Sequence, residues 1–253
     1  MLAFVAAERR EFDGVLRKAE RVTKLDWPLD FARLAWLEGN PIVVVANGPG
    51  PKLAGRATEI VRKYQELNGL VSTGFCGALN PALEPCDIFV ATEVIGVSHA
   101  LSVPRWIAAS SRPQLIAGTM PPVLDVRRQQ SCERFTTGKL LSIDRVVSTV
   151  AEKADLRQTG ADAVEMEAAA VGLKAAEWNI PFYCIRVVTD TSAETFPLDF
   201  NDMRDADGRF SRTRIMAAAL RRPGSVLPEL LKLNKRCKDA SQALGNFLVD
   251  ASF

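Results

Sequence analysis

The chain opens on an apolar run, Leu2 to Ala7, and then changes period. Glu8 to Arg21 carries its apolar residues at helical spacing, which predicts a helix. Two β-rich runs, Phe31 to Glu38 and Ile42 to Ala46, flank the turn residues Gly39, Asn40 and Pro41. The breaker cluster Asn47-Gly48-Pro49-Gly50-Pro51 stops the second run, and Lys52 to Leu67 follows as an amphipathic helix. Leu70 to Thr73 reads as a strand running into a turn at Gly74, and Asp87 to Val94 as a further strand. Residues 96 to 137 hold four prolines among mixed polar residues, the pattern of loops and short strands. Lys139 to Ser142 predicts a strand and Arg145 to Lys153 a helix. A strand-to-helix junction opens at Val164, with Met166 to Trp178 helical, before the β-branched strand Phe182 to Val188. Past Asp190 the chain is polar and loop-like to about Phe210; the rest, to Phe253, reads as helices broken at Pro223-Gly224. Strands alternating with helices argue for a layered α/β fold. Without a repeat or linker, residues 1–253 are read as a single domain with an extended C-terminal helical region from about residue 211.

Composition narrows the classes. At 253 residues, one core can bury most of its apolar surface. A net charge of +2 with only short basic clusters disfavours nucleic acid as a partner. The N-terminus places its apolar run before its charges, the reverse of a secretory signal. Leu67 to Leu83 is uncharged but contains Asn, Ser, Thr, Gly and Pro, and is shorter than the roughly 20 apolar residues a membrane helix needs. The expectation is a cytoplasmic protein with no integral membrane segment. Five cysteines, Cys76, Cys86, Cys132, Cys184 and Cys237, include no Cys-x-x-Cys pair and read as small buried apolar residues rather than a disulfide framework or zinc site. The lone histidine, His99, has no nucleophile-elbow sequence to serve. No Walker motif contains Lys52, and no Gly-x-Gly-x-x-Gly follows the first strand, which disfavours a dinucleotide-dependent dehydrogenase.

Three segments carry candidate chemistry. In Val71-Ser72-Thr73-Gly74-Phe75-Cys76-Gly77-Ala78-Leu79 two glycines would let backbone approach a ligand closely; a structural turn is the other reading. In Ala163-Val164-Glu165-Met166-Glu167-Ala168 two carboxylates flank a methionine at the junction. An ionised carboxylate only accepts hydrogen bonds, so one could hold a pair of vicinal hydroxyls while Met166 covers a flat ligand. Acids favoured by a helix N-terminus are the other reading. In Cys184-Ile185-Arg186-Val187-Val188-Thr189-Asp190-Thr191-Ser192 an apolar strand delivers Asp190 to its carboxyl end, where ligands gather in open α/β sheets; a helix-capping or loop aspartate is the alternative.

In this order, strand-Gly-x-x-Gly, Val-Glu-Met-Glu-Ala and Arg-x-x-x-Asp, the segments resemble the purine nucleoside phosphorylase and nucleosidase family over roughly residues 1–195. The resemblance implies a three-layer domain with a mixed central sheet flanked by helices. It implies cleavage of the bond between ribose and a purine base. Glu167 would bind the ribose hydroxyls, Met166 would pack on the sugar, and Glu165, Gly74, Phe75, Cys76 and Thr189 would complete the binding site. Asp190 would hydrogen-bond and help protonate the five-membered ring of the base, so that it leaves neutral. Phe182 would supply a flat wall for the base.

The nucleophile is phosphate in one branch of the family and water in another. Ser72 and Phe75 stand where the phosphorylases carry an arginine and a serine, which removes a charge and a hydroxyl a dianion would use. Ala7-Glu8-Arg9-Arg10-Glu11 resembles the nucleosidase segment whose glutamate orients the attacking water, here Glu11, with Glu8 as the alternative register. Water is therefore expected, although Arg9 and Arg10 leave a phosphate role open. No metal or cofactor is implied; phosphate would be a co-substrate in a phosphorylase. A homo-oligomer, preferably a dimer, is implied. A non-catalytic nucleoside-binding protein is the reading from another class. Phe196-Pro197, Asp207-Gly208 and Arg222-Pro223 in the long tail resemble the hopanoid-associated branch, whose members act on an adenosylated lipid.

Overall fold

The computed structural model describes residues 1–96, 127–128, 135–222, 224 and 226–252. The N-terminal apolar run forms β1 (Leu2–Ala6). The helix expected from Glu8 to Arg21 is shorter and divided into a 3-10 turn, Arg9–Phe12, and α1 (Asp13–Lys18). Arg21–Lys24, which no apolar pattern marks, is β2, an exposed edge strand. Charged edge residues discourage pairing with another sheet. A tight turn joins β3 (Phe31–Leu37) to β4 (Asn40–Ala46), and the Gly-Pro cluster leads into α2 (Pro51–Tyr64), with Pro51 at its first position where no donor is needed.

The turn predicted at Gly74 does not form. β5 (Gly69–Ala78) runs straight through it, and Gly74 takes φ +123° within the strand. β6 (Ile88–Gly96), β7 (Arg127–Arg128) and β8 (Phe135–Ser142) follow. Most of the stretch from 96 to 137, including His99 and Cys132, lies outside the described residues. The next helix, α3 (Val150–Arg157), begins five residues later than the pattern predicts, because Thr149 caps it by accepting from the Glu152 amide at 3.2 Å. The junction comprises β9 (Ala163–Glu165) and α4 (Ala168–Glu177), and β10 (Phe182–Asp190) is buried along its whole length. Two helices, α5 (Arg212–Arg221) and α6 (Val226–Asp250), and the short β11 (Ala251–Ser252), which pairs with β7, complete the chain.

Among the described residues, nine strands form one mixed sheet in the order β10-β6-β8-β9-β5-β1-β4-β3-β2. β10 also pairs with β5, so five strands close on themselves in a ring, β5-β10-β6-β8-β9. Successive side chains of a strand point to opposite faces. In β1, Ala3 and Val5 therefore join one core beneath α2 and α4, whereas Phe4 and Ala6 join the other beneath α1 and α6. These are the three layers.

The C-terminal helix is part of the structure that positions the site. Gly14 of α1 and Gly245 of α6 meet backbone to backbone; a Cβ on Gly14 would lie 1.9 Å from the Ser241 carbonyl oxygen. That crossing lets Ser241 accept from the Gly14 amide at 3.0 Å and donate to the Glu11 carbonyl at 3.3 Å.

Candidate active site

A cavity of about 530 Å³ opens where the carboxyl ends of β1, β5 and β10 meet the β9–α4 junction. Its floor includes Glu11, Phe75, Cys76, Met166, Glu167 and Asp190, and Glu8, Glu165 and Thr189 also face it. Residues more than 150 positions apart thus share one pocket. Gly77 lines it too, while Gly74 lies just behind. Phe182 does not belong there. It sits at the opposite end of β10, fully buried in the core. Eight residues at about 3.3 Å per residue separate it from Asp190, so it cannot wall a base bound at the strand's end.

Glu11 is buried in the 3-10 turn. Its carboxylate accepts from the Glu8 amide at 2.7 Å and from the Phe75 amide at 2.8 Å. Burial pushes its proton affinity up; the two amides only partly offset this. Glu8, the alternative register, is half-exposed and paired with Arg10 at 2.6 Å.

Glu165 and Glu167 part ways at the junction. The Glu165 carboxylate accepts from the Glu167 amide at 2.9 Å and from the Ala168 amide, capping α4, and pairs with the Arg186 guanidinium. That set of bonds occupies it structurally. Glu167 keeps more freedom: one oxygen accepts from the Gly50 amide at 2.8 Å, and the other stands 3.7 Å from Arg186. Burial, then the Glu165 charge, push Glu167 up to about 8. Arg186 is fully buried and also donates to Ser72 Oγ at 2.6 Å and the Thr73 carbonyl at 2.7 Å. Ser72 therefore serves this arginine. A guanidinium in an otherwise apolar strand was the sequence signal for this hub.

At the end of β10 the register against β5 slips between Val188 and Asp190. This bulge re-aims Asp190 over Gly77. Asp190 accepts from the Thr189 hydroxyl at 2.9 Å and from Lys153 Nζ at 2.6 Å. Burial raises its proton affinity, and the Lys153 charge opposes the rise. Lys153 is itself buried, projecting from α3. Nothing in Ala151-Glu152-Lys153-Ala154-Asp155 distinguishes it from a solvated helix lysine, and sequence reasoning passed over it.

Gly74 and Gly77 of β5 accommodate carboxylates. A Cβ on Gly74 would stand 2.5 Å from Glu11 Oε1, and one on Gly77 2.9 Å from Asp190 Oδ2. Across the cavity the wall is apolar: Phe196, Phe200, Phe210, Ile215, Leu230 and Leu233. Phe200 meets Phe196 and Phe210 edge-on, at 5.5 and 6.2 Å between ring centres. The polar-looking segment after Asp190 thus contributes an aromatic face. Of the arginines near the N-terminus, Arg10 lines the cavity paired with Glu8, and Arg9 lies over the Phe31 ring at 5.7 Å. Arg145 also lines the cavity, paired with Glu152.

Known proteins share this architecture. An aminodeoxyfutalosine nucleosidase of Campylobacter jejuni is 23% identical over 213 residues, covering 79% of this chain and 90% of its own. A DeoD-type purine nucleoside phosphorylase of Latilactobacillus sakei is 25% identical over 68% of this chain and 76% of its own. The crystal structure of a 5'-methylthioadenosine/S-adenosylhomocysteine nucleosidase from Colwellia psychrerythraea in complex with adenine superimposes with a TM-score of 0.68 at 20% identity, covering 99% of this chain and 95% of that one. The sequence profile of the phosphorylase superfamily matches residues 21–220, most of the chain, and the chain belongs to that superfamily.

Proposed function

We infer that the chain hydrolyses the N-glycosidic bond of a purine nucleoside, adenine being the favoured base. The observation that carries this is a pair of buried carboxylates, Glu11 in the 3-10 turn after β1 and Asp190 at the end of β10, facing one cavity. Their surroundings suit complementary tasks. Glu11, bound by neutral amides, takes a proton from water as its oxygen attacks C1′ of the ribose. Asp190 gives a proton to the five-membered ring as the bonding electron pair leaves with the base. The overall change is nucleoside plus water to free base plus ribose. Glu167 accepts from the ribose hydroxyls, and Met166 packs beneath the sugar. These steps use no metal ion or cofactor.

Charge balance favours water over phosphate. Five carboxylates line the cavity, Glu8, Glu11, Glu165, Glu167 and Asp190, against two guanidinium groups, Arg10 and Arg145, each already paired. With both guanidinium groups already engaged, no free arginine of the lining is left to clamp a dianion. The test is base release from adenosine, methylthioadenosine, adenosylhomocysteine and inosine, with and without phosphate. Phosphate-independent release of adenine supports hydrolysis. Release only with phosphate makes the chain a phosphorylase and removes the role of Glu11. Tight binding without release makes it a binding protein.

The apolar wall supports an apolar 5′ substituent, consistent with the resemblance of the tail to the hopanoid-associated branch. If so, kcat/KM should rise with the length of a 5′-alkylthio chain. The family likeness supports residues 1–253 working as one domain, in a cytoplasmic homodimer, which sedimentation of the purified protein checks. No helix among the described residues is long and apolar enough to cross a membrane.

A further inference from the structure

Lys153 is the one buried lysine among the described residues. Taking an ammonium out of water costs several kcal/mol unless it is well paired, and an apolar residue would fill the inner face of a short helix at less cost. Here every contact of the ammonium converges on the acid's end of the cavity. Nζ donates to Asp190 Oδ2 at 2.6 Å and to the Thr191 carbonyl at 2.6 Å, and it lies 5.5 Å from the centre of the Phe196 ring. With the Thr189 hydroxyl on Oδ1, both Asp190 oxygens are anchored, and each retains a further lone pair.

We propose that Lys153 is a positioning residue for base departure: it fixes the Asp190 carboxyl plane and stabilises the carboxylate left behind once the proton has moved to the base. The inference rests on the reading of Asp190 as the acid. The step balances as follows: the glycosidic electron pair goes to the base, the base takes the Asp190 proton, and the new carboxylate is held by the ammonium, which keeps its own protons. Without that charge a buried carboxyl holds its proton more tightly and gives it up less readily. Other charged or titratable groups around Asp190 are Cys76 on β5, Glu194 in the following loop, and Arg236 and Cys237 on α6. Glu194 and Arg236 pair with each other at 2.7 Å, which leaves Lys153 as the cation in direct contact.

The test compares Lys153→Met, Lys153→Arg and Asp190→Asn in pH profiles of kcat for the substrate identified above. Lys153→Met should lower kcat about 10- to 100-fold, part of the about 10²–10⁴-fold that a positioned acid supplies. It should also move the alkaline limb, where Asp190 loses its proton, upward by about one pH unit, because an opposite charge has been removed. Lys153→Arg should restore most of the rate and return the limb. A loss of rate with an unmoved limb in both Lys153 variants, with Asp190→Asn inactive, overturns the proposal and reduces Lys153 to a packing residue. An active Asp190→Asn variant instead overturns the acid assignment itself. Should Lys153→Met fail to fold, the limb in the charge-retaining Lys153→Arg decides: it must stay within a few tenths of a unit of the native position.

Discussion

Glu11 and Asp190 are two buried carboxylates above two glycines of the same strand, yet they are held in opposite ways. Glu11 is gripped by backbone amides and touches no ammonium; Asp190 is clamped by one. Amides are rigid and neutral, so they orient Glu11 while burial leaves it a better base than a carboxylate in water. An ammonium adds charge, so the anion of Asp190, the proposed acid, is tolerated. Burial raises the proton affinity of both carboxylates, and only at Asp190 does an ammonium in direct contact oppose the rise. What differs between the two carboxylates, and what the proposed roles rest on, is their partners and not their residue types.

The sharpest way to break the comparison is to remove each carboxylate. Asp190→Asn and Glu11→Gln should each lower kcat about 10²–10⁴-fold. Asp190→Asn should spare a substrate whose leaving group departs as a stable anion, because such a group needs no proton. Glu11→Gln should not. Equal losses on both kinds of substrate would dissolve the distinction.

A smaller effect separates the two glycines. Gly74 combines φ +123° with a Cβ position 2.5 Å from Glu11 Oε1, whereas Gly77 has ordinary backbone and a Cβ position 2.9 Å from Asp190 Oδ2. Gly74→Ala should destabilise the protein by about 1–3 kcal/mol through backbone strain alone, on top of displacing Glu11. Gly77→Ala has no such strain, so chemical denaturation should show a lesser loss. The reverse order would mean that Gly74 relaxes without cost.

The smallest effect concerns Glu167, which belongs to neither side. Its folded-state value of about 8 lies above the ordinary 4.5, so the folded protein holds that proton more tightly than the unfolded chain. Its contribution to stability is therefore full below about pH 4.5 and declines as pH rises toward 8. Between pH 5 and 8.5, Glu167→Gln should lose roughly 1–3 kcal/mol less stability than the native protein in urea unfolding. Parallel curves would place the strain elsewhere. The same variant should bind ribosides weakly and free adenine normally.

Much of this was legible in the sequence, and the failures have physical causes. Val-Glu-Met-Glu and the Asp190 strand end mark themselves by setting acids against apolar runs. β2 left no trace because an exposed edge strand carries no apolar alternation. Gly74 looked like a turn because a glycine after a β run usually is one; that a carboxylate from residue 11 would lie over it is a tertiary fact. Lys153 resembles every other lysine on a short helix until β10 is placed beside it. Phe182 fails as a wall because eight residues of extended strand separate it from Asp190, a span the resemblance alone did not weigh.

The five-strand ring has a consequence for how the molecule breathes. An open sheet frays from its edges, and here the free edge is β2, far along the order from β5 and β10. β5 and β10 each have neighbours on both sides within or beside the ring, so neither can peel away without breaking two ladders together. Local opening that begins at β2 must pass β3, β4 and β1 before it loosens the strands that carry Gly74, Gly77 and Asp190. The floor of the cavity should therefore exchange its amide hydrogens only when the whole domain unfolds.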